Sequence, residues 1–138
     1  MSMDCIFCKI ITKEIHSKIL YEDDDSISFL DAFPVAKGHT LVIPKKHFAK
    51  IQNMPPDLNQ KLFDSVHKMI NKVDALEGST LVAVHNGKES GQEVPHVHVH
   101  LIPRSKNDSA GPVHRMFKNK IDLSEQEIES LSNELKIN

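Results

Sequence analysis

Apolar residues recur at helical spacing over one long stretch of the chain. Between residues 55 and 76 they lie three and four positions apart, which places them on one face of an α-helix. These positions are Leu58, Leu62, Phe63, Val66, Met69, Ile70, Val73 and Leu76. The pattern predicts a single amphipathic helix that ends near Gly78.

Short runs rich in β-branched residues flank that helix and predict strands. The predicted strands are residues 18–21, 26–30, 39–44, 80–84 and 96–102. Because the strands come in a run with one helix inserted, their order favours an α+β fold over a doubly wound parallel sheet.

Both ends of the chain predict further helices. Residues 8–14 suit one or two helical turns. Near the other end, Ser124 and Glu127 have the spacing of a capping box. The helix that follows has a narrow apolar stripe, which predicts docking on the core or on a dimer partner. The stripe consists of Ile128, Leu131 and Leu135.

Length and composition indicate an ordinary globular domain. The chain has 138 residues, 39% hydrophobic and 26% charged, with a formal net charge of −2. We expect a single domain over residues 1–138, with a core at about 4–104 and an extension at 105–138. This net charge does not indicate binding to nucleic acid or to an anionic membrane. No segment resembles a signal peptide or a membrane span. These features predict a cytoplasmic location.

Three of the nine histidines alternate along one predicted strand, as His96-Val97-His98-Val99-His100. Alternate residues of a strand share a face, so the pattern predicts three imidazoles on one side. Such a row suits nucleophilic catalysis, since neutral imidazole is a nucleophile near pH 7. Three histidines with a water also make a hydrolytic zinc site, and spacing alone leaves both chemistries open.

A polar loop precedes the histidine strand. Gly87 and Gly91 let backbone amides approach an anion, while Asn86 and Gln92 offer neutral side-chain donors. Beside the loop, His85 is interpreted as an ordinary surface or hydrogen-bonded histidine. The loop predicts an anion site that adjoins the histidines.

The only two cysteines form a Cys-x-x-Cys pair, Cys5 and Cys8. In a reducing compartment this spacing indicates metal or redox chemistry rather than a structural disulfide. The alternative is a pair of buried reduced thiols.

Several of these segments together resemble one family. Residues 96–102 fit the pattern His-φ-His-φ-His-φ-φ, where φ is hydrophobic, of the histidine-triad (HIT) proteins. Residues 5–11, 29–47, 86–87 and 91–95 resemble other parts of the same family. The resemblance covers about residues 4–104. It implies a five-stranded antiparallel sheet, a homodimer whose sheets join, and a purine nucleotide site with cleavage at the α-phosphate.

The resemblance also implies roles for individual residues. His98 matches the nucleophile, His100 its neighbour at the phosphate, and His39 a histidine hydrogen-bonded into the triad. Gln92 matches a glutamine near the scissile bond. The implied nucleotide-binding set also includes Phe7, Ile10 and Phe29 at the base, Asp31 at the ribose, and Asn86, Gly91 and Glu93 at the phosphate. Glu93 stands where the phosphoramidase branch has serine, so its backbone amide is the expected contact.

Zinc-bearing members of the family pair such cysteines with two histidines. The matching residues here are Cys5, Cys8, His47 and His96, so the resemblance implies one structural zinc and no organic cofactor. A closed four-ligand site supports folding and leaves no open position for a substrate.

The sequence therefore supports one leading hypothesis and two alternatives. The leading hypothesis is a nucleotidyl hydrolase or transferase that forms a covalent intermediate on His98. Its substrates would be a nucleoside phosphoramidate, an aminoacyl-adenylate-like compound or a dinucleoside polyphosphate. The alternatives are a metal-dependent hydrolase with the triad as an open zinc site, and a nucleotide-binding interaction module without turnover.

Overall fold

A five-stranded antiparallel sheet forms the centre of the molecule. The computed structural model describes residues 4–108, 111–113 and 121–136. Its strands are β1 (Ile19–Glu22), β2 (Ser26–Leu30), β3 (Thr40–Pro44), β4 (Thr80–Ala83) and β5 (Val99–Pro103). Their order in the sheet is β1-β2-β3-β5-β4, and all four pairings are antiparallel. The predicted α+β class and antiparallel sheet are thereby confirmed.

In the described residues, three α-helices accompany the sheet. They are α1 (Ile6–Ile11), α2 (Pro56–Glu77) and α3 (Glu125–Leu135), and short 3-10 turns occupy Ile51–Asn53 and Lys88–Ser90. The long helix has Pro56 in its first turn and is ended by Gly78 in the left-handed conformation. The predicted end near Gly78 is confirmed, and the predicted bounds of 55–76 hold within one residue.

The central strand β3 is buried on both faces because helices cover each side of the sheet. In β3, Val42 joins the core beneath α2, which also contains Leu62, Val66 and Met69. The alternating neighbours Leu41 and Ile43 point the other way, into the core beneath α1. This second core contains Cys5, Phe7, Cys8, Ile10, Ile27 and Phe29. A strand that is covered on both faces has a nearly continuous apolar sequence, as the segment after His39 does.

The strand that carries the triad is shorter than predicted. β5 pairs with β3 only from Val99, and the earlier residues bond elsewhere. His96 donates its backbone N–H to the Val94 carbonyl, and Val97 donates to the Phe48 carbonyl. The prediction of a strand from residue 96 was therefore wrong, because local turns and a neighbouring loop take these amides before the ladder begins.

The N-terminal helix is also displaced from its predicted range. α1 covers Ile6–Ile11 rather than residues 8–14 because Cys5 begins it as the N-cap, its sulfur accepting the Cys8 N–H at 3.4 Å. The cysteine pair thus spans the first turn of a helix, which holds both sulfurs on one side.

The C-terminal helix begins with the predicted capping box. Ser124 and Glu127 exchange side-chain and backbone hydrogen bonds. The apolar stripe of α3 is exposed within this single chain, so its docking stays a prediction, as does the joining of two sheets. In the described part of the chain no helix is both long and apolar enough to cross a membrane.

Candidate active site and metal centre

A cavity of about 530 Å³ opens beside the face of the sheet that α1 covers. Its walls come from α1, the end of β2, the loop that joins β2 to β3, the loop before the triad, and β5. Three buried apolar residues, Phe7, Ile10 and Phe29, lie in its wall. Imidazoles and polar groups line it as well: Asp31, His39, His85, Gly91, Glu93, His98 and His100.

A second cavity of about 500 Å³ lies between β1, β2 and α2. Leucines, Tyr21, Lys68 and Lys72 line it, and it has no histidine, cysteine or carboxylate. We therefore place the candidate chemistry in the first cavity, although the second is more apolar.

His98 presents one defined ring nitrogen for reaction. Its Nδ1 lies 2.7 Å from the backbone carbonyl of His96. A carbonyl oxygen only accepts, so Nδ1 carries the proton and Nε2 has the lone pair. The ring of Phe7 packs edge-on at 5.0 Å between centroids. Burial lowers the pKa of His98, which keeps the imidazole neutral and nucleophilic.

His39 and His100 form a chain with a fixed direction of donation. The backbone N–H of Val35 donates to His39 Nδ1 at 3.1 Å, so neutral His39 has its proton on Nε2. That Nε2–H donates to His100 Nδ1 at 2.9 Å, which leaves the His100 proton on its own Nε2. Burial is the main cause that lowers the pKa of His39, and it lowers that of His100 to about 4.

Two neighbouring histidines thus receive opposite tautomers. The rings of His98 and His100 lie 4.9 Å apart between centroids. His98 has a free Nε2 lone pair, whereas His100 has an Nε2–H. One ring can therefore act as a nucleophile and the next as a hydrogen-bond donor to an anion.

Asp31 adjoins this pair from the loop that follows β2. Its Oδ1 accepts the Phe33 N–H at 2.8 Å, and its Oδ2 lies 3.5 Å from His39 Nε2. The side chain also lines the cavity. A carboxylate there can accept from hydroxyl groups of a ligand.

The side-chain amides of Asn86 and Gln92 form hydrogen bonds within the protein. Gln92 donates to the Ala49 carbonyl at 2.8 Å and accepts the Gly87 N–H at 2.9 Å. Asn86 accepts the Ile51 N–H at 2.9 Å and donates to Gln52 at 3.0 Å. Neither lines the cavity, whereas Gly91 and Glu93 do.

His85 lines the cavity and also makes the hydrogen bond expected of an ordinary satisfied histidine. Its Nδ1 lies 2.7 Å from the Ser90 carbonyl, and its ring contacts that of His100 with centroids 5.3 Å apart. Gly91 lies against it, since a Cβ at that glycine would come within 3.1 Å of His85 Nδ1. Its place directly before the polar loop was the signal in the sequence.

His96 does not line the cavity, and its ring lies against the two cysteines. Its Nε2 donates to the Pro44 carbonyl at 2.9 Å, so the Nδ1 lone pair is free. That nitrogen lies 3.4 Å from the Cys5 sulfur and 3.7 Å from the Cys8 sulfur. Burial lowers the pKa of His96 to about 4, which favours the neutral form that binds metals.

These atoms, together with His47, have the spacing of a tetrahedral metal site. His47 Nδ1 lies 3.4 Å from the Cys8 sulfur and 3.1 Å from His96 Nδ1. A zinc ion with ordinary bond lengths would separate its nitrogen ligands by about 3.3 Å and nitrogen from sulfur by about 3.5 Å. All four ligand atoms lie within 4.8 Å of one another, so the residues fit a closed site.

The same geometry argues against the triad as an open zinc site. His96 has one ring nitrogen on a carbonyl and the other among the cysteines, and His98 Nδ1 is bound to a carbonyl. The second possible metal-binding group in the described residues is Asp31, His39 and His100, which contains one triad member.

Comparison with known proteins identifies the class to which this fold and histidine arrangement belong. The model of the HIT domain matches residues 12–107. A HIT-like protein of Borreliella burgdorferi, described as uncharacterized, is 40% identical over 141 residues and covers 98% of each chain. The adenosine 5'-monophosphoramidase HNT1 of Candida albicans is 42% identical over 113 residues, covering 78% of this chain and 74% of that protein. The chain belongs to the HIT family.

Solved structures agree with this assignment. A crystal structure of a HIT family member from Bacillus subtilis matches with a TM-score of 0.84 and 33% identity, covering 96% of this chain and 94% of that one. A zinc-bound histidine triad family protein from Mycobacterium smegmatis matches with a TM-score of 0.70 and 32% identity, covering 80% and 82%.

Proposed function

We propose that this protein hydrolyses or transfers the nucleotidyl group of adenosine or other purine nucleotides, through a covalent intermediate on His98. The observation that carries the proposal is the pair of opposite tautomers on His98 and His100 in the wall of the cavity. The phosphoramidase name of the Candida albicans relative supports the same class of substrate.

The first step transfers the nucleotidyl group to the protein. His98 Nε2 attacks the α-phosphorus, an N–P bond forms, and the bond from phosphorus to the leaving group breaks. The Nε2–H of His100 donates to a phosphoryl oxygen as negative charge builds there. The leaving group departs with the bonding electron pair and takes up a proton.

The second step returns the enzyme to its starting state. Water attacks the same phosphorus, the N–P bond breaks, and a nucleoside monophosphate leaves. The proton that the water loses passes to solvent and balances the one that the leaving group took from solvent in the first step. His98 regains its lone pair while Nδ1 stays on the His96 carbonyl. Transfer to another acceptor follows if that acceptor replaces water.

The remaining cavity residues bind the nucleoside. Phe7, Ile10 and Phe29 form an apolar wall that suits the faces of a purine. Asp31 lines the cavity beside His39 and suits the ribose hydroxyls. The backbones of Gly91 and Glu93 border the phosphate region. Gln92 holds the loop through Ala49 and Gly87, so its contribution to catalysis is positioning.

We also propose a structural zinc on Cys5, Cys8, His47 and His96. When bound, the ion would join α1 to the segment that carries His98, two residues from a ligand. The zinc-bound relative from Mycobacterium smegmatis supports a metal in this family.

The test compares His98→Ala with His67→Ala, an exposed histidine on α2. Turnover of a fluorogenic adenosine phosphoramidate should fall by about 10⁴-fold or more in His98→Ala, since the nucleophile is lost. It should stay unchanged in His67→Ala, and both variants should keep their zinc. Rapid quench followed by peptide mass spectrometry should find adenylylated His98 in the wild type.

Other outcomes would support the alternatives. Loss of zinc in His98→Ala together with chelator-sensitive turnover would favour a metal-dependent hydrolase. Wild-type protein that binds AMP but turns over no adenylated compound would favour a binding module.

A further inference from the structure

Phe33 is the most exposed large hydrophobic residue in the described part of the chain. Its exposed fraction is 87%, although the side chain is fully apolar. It lies in the loop between β2 and β3 and contributes to the wall of the nucleotide cavity. Such exposure is unfavourable in the ligand-free protein, so covering the ring with an apolar group is favourable.

The backbone around Phe33 holds the ring at the mouth of the cavity. Its N–H donates to Asp31 Oδ1 at 2.8 Å, which makes an Asx turn. The next residue is Pro34, which restricts the backbone of Phe33 as well as its own. Asp31 in turn lies beside His39, so the aromatic ring is tied to the histidine end of the site.

The mouth has apolar groups on more than one side. Ile6 from α1 and Val35 from the same loop also line the cavity, and their exposed fractions are 44% and 50%. Phe7 and Phe29, behind them, are buried and form the inner wall. A flat apolar group that enters the cavity therefore has a buried aromatic wall on the inside and Phe33 on the outside.

We propose that Phe33 is a specificity-determining residue that stacks on the nucleobase and covers its outer face. The proposal rests on the proposed function, because it needs a nucleotide with its phosphate at His98. This defines the substrate class: the substrate must carry a planar base. The same phosphate on a sugar without a base gains no affinity from Phe33. Stacking of one base on an aromatic side chain corresponds to about 5- to 100-fold in affinity.

The first test separates base from phosphate recognition. The Kd values of AMP and of ribose 5-phosphate are measured calorimetrically for wild type, Phe33→Ala and Phe33→Tyr. We expect Phe33→Ala to weaken AMP about 5- to 100-fold and to leave ribose 5-phosphate unchanged. Phe33→Tyr keeps the aromatic face and should bind AMP as the wild type does. Phe63→Ala on α2 is the matched control, since that ring is also exposed but lies outside the cavity.

The second test uses the absence of tryptophan from the chain. Phe33→Trp then introduces a single indole at the proposed stacking position. AMP should quench its fluorescence and ribose 5-phosphate should not. Phe63→Trp supplies the control, whose emission neither ligand should change.

The results distinguish failure of this inference from failure of the proposed function. If wild type binds AMP and His98 is adenylylated, but Phe33→Ala keeps full affinity for AMP, Phe33 does not stack and the inference is wrong. Equal weakening of AMP and ribose 5-phosphate would overturn it too, because the effect would then come from Asp31 and the histidines. Wild type that binds neither ligand and shows no adenylylated His98 would instead reject the proposed function.

Discussion

Two groups of histidines in this molecule differ in what their free ring nitrogens face. In the Cys-His cluster of Cys5, Cys8, His47 and His96, the nitrogens of His47 and His96 point at each other and at the sulfurs. In the histidine row of His39, His98 and His100, a separate hydrogen bond fixes the tautomer of each ring. This row borders an open cavity.

The difference comes from which backbone group each imidazole contacts. A carbonyl at His98 Nδ1 fixes the proton there, and a backbone N–H at His39 Nδ1 fixes it on the opposite nitrogen. His96 has the carbonyl at Nε2 instead, which turns its lone pair toward the cysteines. His96 and His98, two positions apart in one motif, thus leave different ring nitrogens with the lone pair and suit different chemistry.

The largest expected effect tests the Cys-His cluster. In Cys8→Ser the zinc content, measured by elemental analysis, should fall from about one ion per chain toward zero, because a thiolate ligand is lost. Loss of a few kcal/mol of stability should lower the Tm by about 10 °C, measured by calorimetry. His98→Ala is the comparison and should keep the wild-type zinc content and Tm. Full zinc content in Cys8→Ser would show that the cluster is a pair of reduced thiols beside two histidines.

A smaller effect is expected within the histidine row. His39→Leu removes the donor to His100 Nδ1, so the rate of single-turnover adenylylation should fall about 10²-fold while the zinc content is unchanged. His39→Gln can accept from Val35 and donate to His100, and should recover most of the rate. Equal loss in both variants would mean that His39 acts through packing rather than through the tautomer of His100.

The smallest effect concerns pH. Burial lowers the pKa of His98 and lowers that of His100 to about 4, so both rings stay neutral below the ordinary imidazole pKa of about 6.5. Because attack needs the neutral form of His98, the adenylylation rate should hold as pH falls through 6.5 and decline only at lower pH. Single-turnover rates between pH 4 and 8 measure this, with zinc content followed in parallel. A decline centred at or above pH 6.5, with zinc retained, would contradict it.

Much of the fold was predictable because local signals agreed with the tertiary structure. The spacing of Leu62, Val66, Met69 and Val73 predicted the buried face of α2. Phe63 and Leu76 belonged to the same pattern but are exposed, because the apolar stripe is wider than the surface the sheet covers. The start of β5 was not predictable, since it depends on the carbonyls of Phe48 and Val94.

The candidate site was predictable to a different degree in its parts. The motif resemblance located His98, His100 and the cysteine pair, and the structure brings the implied metal ligands together. The amides of Asn86 and Gln92 were expected at the phosphate, yet they bind Gln52, Ile51, Ala49 and Gly87. A side-chain amide has the same chemistry in either place, and only its neighbours decide which it serves.

The sequence by itself determined the elements, the antiparallel α+β class and the family. It did so because hydrophobic period, helix caps and a five-residue histidine motif are local properties of the chain. The tertiary structure alone decided which nitrogen each histidine leaves free, and that His85 and Phe33 border the cavity. Those features depend on contacts between residues far apart in the chain, such as Pro44 with His96 and His39 with His100.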